Sequence, residues 1–167
     1  MANQSQTFTF NSIPRSVEEL KALPECDLQS PFKTCALTML VLLNYENDVQ
    51  ATIDMLNVLK GPEPMNPYQT QFLRDRLVGK YYVPKSFFAG TSPANNYEPS
   101  MPLTITVSDN PYSYPQDGYA TLWLKSSGAD SLRPIRTRNK PSTGEWFLLE
   151  NQALSDIRVP ASSDPWA

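Results

Sequence analysis

Asp109 and Asp117 bracket the stretch Asp109-Asn110-Pro111-Tyr112-Ser113-Tyr114-Pro115-Gln116-Asp117-Gly118. Two carboxylates buried together would run general acid–base chemistry. Both aspartates, however, stand where turns favour aspartate for local backbone hydrogen bonds, so the spacing reads first as two turns around two tyrosines. Tyr112 and Tyr114 then form a candidate interaction tip, because tyrosine offers a large contact area at low entropic cost. A second candidate is basic. Lys125, Arg133, Arg136, Arg138 and Lys140 crowd one short stretch, and strand alternation sets Arg136 and Arg138 on one face, with Arg133 and Ile135 on the other. The matching chemistry is recognition of an anion or an acidic partner. The blander reading is the solvated face of an antiparallel sheet, its charges guarding an edge strand.

A third candidate is aromatic. Tyr81, Tyr82, Phe87, Phe88 and Tyr97 alternate with Pro84, Pro93 and Pro99 across residues 80–102. Tyr81, Tyr82, Phe87, Phe88 and Trp123 are candidate linings of a small-molecule pocket between helices and sheet. The competing reading is an ordered connector laid over the core.

Other chemistries are removed by what the chain lacks. It has no histidine and two cysteines, Cys26 and Cys35. Without histidine there is no Ser-His or Cys-His nucleophile pair, no HExxH zinc site and no Cys/His finger. Cys35 lies in an apolar helical run and reads as a small buried hydrophobe. Cys26 has Glu25 and Asp27 as neighbours, whose charges blunt a thiol. The six glycines are scattered singly, so neither a Walker loop nor a dinucleotide fingerprint occurs. Neither a catalytic centre, nor a cofactor, nor a metal is expected.

The net charge of −3 and isoelectric point near 4.9 argue against nucleic acid as a partner. Residues 1–10 carry no basic start followed by an apolar run, so no secretory signal is expected. The longest apolar stretch, residues 35–43, is far short of the ~20 residues that span a bilayer. No membrane partner is expected, and the cytoplasm is the expected compartment. Nothing in the composition sets an oligomeric state.

The elements that position these residues are well punctuated. Residues 7–10 alternate and read as a short strand. Ser16-Val17-Glu18-Glu19 is a capping box opening a helix that Pro24 stops. Ser30-Pro31 opens another over residues 32–45, apolar nearly all round and therefore central. Asn47-Asp48 opens a third, with Val49, Ile53, Met55, Leu56 and Leu59 as its stripe and Gly61-Pro62 as its end. Asn66-Pro67 opens a fourth, with Phe72, Leu73, Leu77 and Val78 predicted inward and Gly79 as cap. Strands follow at residues 103–107, 118–125, 132–139 and 145–150, the third demoted by Pro134 to an edge or bulged strand. Pro141-Ser142-Thr143-Gly144 is the last hairpin turn.

Together these predict one α+β domain over residues 1–167: a layer of about four helices (16–79), the connector (80–102), a four-strand antiparallel sheet (103–150) and a tail (151–167). A cone-like sheet similar to the nuclear-transport-factor-like fold is the alternative. Two stretches, Ser30-Pro31-Phe32-Lys33-Thr34-Cys35-Ala36-Leu37 and Gly144-Glu145-Trp146-Phe147-Leu148 running on to Asp164-Pro165-Trp166, resemble a family of bacterial domains of unknown function. That resemblance covers most of the chain and implies a bacterial, cytoplasmic origin, but it carries no activity or site residue. The functional expectation is a non-catalytic protein-interaction or assembly module, with a small-molecule-binding domain, or less readily an enzyme, as the alternative.

Overall fold

The computed structural model describes residues 3–167. Met1 and Ala2, the first of the residues read for a secretory signal, lie outside the described residues. Helix α2 (Pro31–Leu42) organises the rest. The Ser30 hydroxyl accepts from the Phe32 N–H at 3.2 Å, and Pro31 occupies the first turn, where its missing N–H costs nothing. Every residue of α2 except Lys33 is buried, as an apolar helix requires. It is flanked by α3 (Val49–Lys60), against which α1 (Val17–Lys21) packs, and by the four strands β2 (Leu103–Ser108), β3 (Tyr119–Leu124), β4 (Arg133–Lys140) and β5 (Glu145–Asn151). One hydrophobic cluster runs through these elements from Phe8 to Leu154.

Among the described residues the sheet has five strands, not four. Residues 5–10 form β1 (Ser5–Phe10), which pairs with β2 in unbroken antiparallel register from Ser5↔Ser108 to Phe10↔Leu103. The alternation of residues 7–10 announced a strand; its partner, a hundred residues away, has no local signature. The order is β1-β2-β3-β4-β5, and the sheet curls into a half-barrel. Among the described residues the α-helices number five, because α4 (Pro67–Leu77) is followed by a four-residue α5 (Tyr82–Lys85) inside the connector.

Two further expectations are corrected. Pro134 does not make β4 an edge, since β4 lies between β3 and β5. The proline stands second in the strand, and its carbonyl accepts the Gln152 N–H at 3.2 Å. The bulge is present, with the register to β5 shifting between Arg136 and Thr137. In α4 only Leu73 and Leu77 are buried, whereas Phe72 and Val78 are exposed. That helix therefore meets the core along a narrow stripe, and the Arg76 guanidinium covers the Phe72 ring 5.0 Å from its centroid.

Strands β2 and β3 pair only at Val107↔Leu124 and Ser108↔Trp123. Their flanks are satisfied by irregular chain. The Ala89 N–H donates to the Thr104 carbonyl at 2.9 Å, and the Thr121 N–H donates to the Ser113 carbonyl at 2.8 Å. The connector is thus tied edgewise to the sheet through its backbone.

Candidate functional site

Between the link from α3 to α4 and the β4–β5 corner lies a cleft of about 430 Å³, lined by Lys60, Glu63, Asn66, Arg138, Lys140 and Phe147 among others. Its walls follow from local sequence. Helix α3 ends at Lys60 because Gly61, at φ 65°, turns the chain where a side chain is strained. A Cβ on Gly61 would also lie 2.5 Å from the Phe147 ring, so glycine lets the link and β5 come together. Pro62 and Pro64 stiffen the link. Met65 is held by its N–H to Asn57 Oδ1 at 2.8 Å, and Asn66 and Gln69 cap α4 reciprocally.

Three cations face this concavity and one carboxylate lines it. Lys60 is 9% exposed, and its amine donates to the Leu149 carbonyl at 3.4 Å. Leu149 is the extra residue of β5 at the bulge, because Thr137 stands opposite Leu148 and Arg136 opposite Glu150. Burial pushes the Lys60 amine below its ordinary pKa, against the opposing pull of Glu63 and Glu150. Arg138 stacks over the Tyr119 ring at 5.4 Å and reaches Glu63 at 4.0 Å, both partners of that ion pair being exposed. An exposed pair at that distance contributes little, so the guanidinium is available to another anion.

The basic stretch does not act as one patch. Lys125 donates to the Ala129 carbonyl at 2.6 Å. Arg133 is consumed by the tail, donating to the carbonyls of Ala153, Ser155 and Asp156. Arg136 pairs with Glu150 at 3.2 Å. Only Arg138 and Lys140 line the cleft. Lys60, which joins them, escaped sequence reasoning, yet the spacing 49, 53, 56, 60 continues the apolar stripe of α3 onto it.

Tyr112 and Tyr114 are exposed on the β2–β3 loop. Tyr114 donates to Asp109 Oδ2 at 3.0 Å, and burial together with that bond pushes its phenol up to about 12. The aromatic candidates lie apart from the cleft. Phe87 and Phe88 are buried in the core, Tyr81 tilts against Tyr45 at 6.4 Å, and Tyr82 stacks on Tyr97 at 5.5 Å. Trp123 lies on the opposite sheet face from Leu122 and Leu124, its indole N–H buried without an acceptor. Nothing in the structure accounts for that orphan donor. Among the described residues no cluster of three or more His, Cys, Asp or Glu is placed to hold a metal ion. No helix of the described residues is long and apolar enough to cross a membrane.

The model of a family described as a domain of unknown function (DUF6935) matches residues 12–161, from just after β1 into the tail. No curated protein and no solved structure matches the chain.

Proposed function

The chain belongs to the DUF6935 family, and we propose that it is a non-catalytic protein-interaction module of a bacterial cytoplasmic system whose cleft receives an acidic, extended segment of a partner protein. The observation that carries this reading is the concentration of Lys60, Arg138 and Lys140 against Glu63 in one concavity, within a chain of net charge −3. Positive charge gathered in a concave, partly apolar site raises the local concentration of anionic ligands and sets their orientation. Phe147 and the two prolines of the link give an extended backbone something apolar to lie against. Two unbridged cysteines, one of them buried, fit a reducing compartment.

Fluorescence anisotropy with a labelled Asp/Glu-rich peptide tests the reading. Saturable binding is expected, weakened by salt and at least tenfold weaker in Arg138→Glu and Lys140→Glu, a loss of about 1.4 kcal/mol. A peptide bound equally well by both variants, or not bound at all, would defeat it.

A further inference from the structure

The two edges of the sheet are finished differently. On β5 three outward groups are taken: the Trp146 N–H donates to the Leu28 carbonyl at 2.7 Å, the Trp146 carbonyl accepts from the Thr34 hydroxyl at 2.6 Å, and Lys60 covers the bulged Leu149 carbonyl. On β1 the outward groups can be identified from its neighbour. The Ala89 N–H donates to Thr104 from the side of β2 away from β1, so the peptide groups of Thr104 point away from β1. Thr9 stands opposite Thr104. Residues facing each other in an antiparallel ladder share one orientation, so Thr9 turns its N–H and C=O outward. Alternation extends this to Thr7 and Ser5. The bond from the Asp109 N–H to the Gln4 carbonyl at 2.9 Å sets the complementary parity, with Gln4, Gln6, Phe8 and Phe10 facing β2.

Ser5, Thr7 and Thr9 are all exposed, and among the described residues no hydrogen bond reaches their peptide groups. Protected edges carry lysine, proline, a bulge or a covering element. Ser5-Gln6-Thr7-Phe8-Thr9-Phe10 has no charge and no proline, and its register is unbroken.

We propose that β1 pairs antiparallel with β1 of a second copy of this chain about a two-fold axis at Thr7, making one continuous sheet of the two. The strand is its own complement. On the solvent face Thr7 meets its counterpart and Ser5 meets Thr9, hydroxyl against hydroxyl. These repeat the Ser5–Ser108 and Thr7–Thr106 pairs, each 2.8 Å, that β1 already makes with β2. On the other face Phe8 meets Gln6 and Phe10 meets Gln4. No charge opposes a like charge, and a charged foreign strand would find no counter-ion. One strand pair buries far less than the ~1,600 Å² of a standard interface, so the dimer is weak and concentration-dependent.

Sedimentation velocity from micromolar to near-millimolar protein tests this. Wild type is expected to move from monomer towards dimer, with the amides of Ser5, Thr7 and Thr9 exchanging more slowly at the high end. Thr7→Pro removes an outward N–H without touching the ladder to β2, and Thr7→Lys sets two cations face to face. Both are expected to dimerise at least tenfold more weakly while keeping the wild-type circular dichroism. Should Thr7→Pro fail to fold, Thr7→Lys carries the test. A wild type that stays monomeric throughout, leaving the rim to an extended segment of another protein, overturns the proposal. So does a dimer that the folded variants form as readily.

Discussion

Replacing Thr34 with valine isolates the bond that closes the β5 edge. Thr34 is wholly buried in α2, and its hydroxyl donates to the Trp146 carbonyl at 2.6 Å. That carbonyl points away from β4, and among the described residues nothing else donates to it. Valine keeps the volume of threonine and opens no cavity, so the change strands the part-buried Trp146 carbonyl and ends a longer 3.4 Å bond to the Ser30 carbonyl, an acceptor that the Thr34 N–H already serves. Such a loss costs about 1–3 kcal/mol, which lowers the melting temperature by roughly 4–8 °C at 2 kcal/mol for a chain of this size. Thr38 supplies the control. It too is wholly buried, but its hydroxyl donates at 2.7 Å to the Thr34 carbonyl one turn back in the same helix, an acceptor that α2 already satisfies. Thr38→Val should therefore cost less than about 0.5 kcal/mol. Urea denaturation followed by tryptophan fluorescence measures both, with unchanged m values showing that the unfolded state is unaltered. Equal losses in the two variants, or a Thr34→Val protein as stable as wild type, would refute the reasoning.

Gly61→Ala and Gly118→Ala separate backbone strain from crowding. Both positions have positive φ, but an added Cβ meets the Phe147 ring at 2.5 Å in the first and nothing within 4 Å in the second. Gly118→Ala should cost the strain alone, about 1–2 kcal/mol, and Gly61→Ala clearly more; equal costs in chemical denaturation would dismiss the role given to the ring. At alkaline pH, Tyr114 provides a linkage test. Its phenol is pushed up to about 12, while an unfolded tyrosine titrates near ~10. Its contribution to stability is therefore complete below ~10 and is lost as pH climbs to about 12, because there the unfolded chain releases a proton that the folded chain keeps. Tyr114→Phe should flatten that decline in denaturation curves taken across the window, and an unchanged slope would contradict the assignment.

Local signals were legible wherever the physics is local. Ser16, Ser30, Asp48 and Asn66 each accept from a first-turn N–H as N-caps, and β3 alternates with Ala120, Leu122 and Leu124 buried. Sheet membership was less legible. Residues 7–10 announce a strand, but pairing with β2 is a contact across about a hundred residues that no short pattern encodes. Phe72 fits the helical period of α4 and still faces solvent, because period assigns a stripe and not how far a neighbouring layer covers it. At the cleft, Arg138 and Lys140 were visible as charges. Their separation from Arg133 and Arg136 depends on acceptors in the tail and in β5, which only the fold brings near. Lys60 was legible in spacing but is hard to read, since a lysine ending an apolar stripe ordinarily snorkels to water.

The register of β1 has a consequence for biosynthesis. Its first residue faces Ser108, so during translation this strand must wait for about a hundred further residues before its partner leaves the ribosome, roughly 5–20 s at ordinary elongation rates. Throughout that interval an uncharged, alternating segment with two phenylalanines stands unpaired, a pattern prone to improper association. Helices α1 to α4 can begin to collapse around one another meanwhile, but the margin of the sheet is closed only late. A strand made about a hundred residues ahead of its partner is thus among the last elements to reach its place.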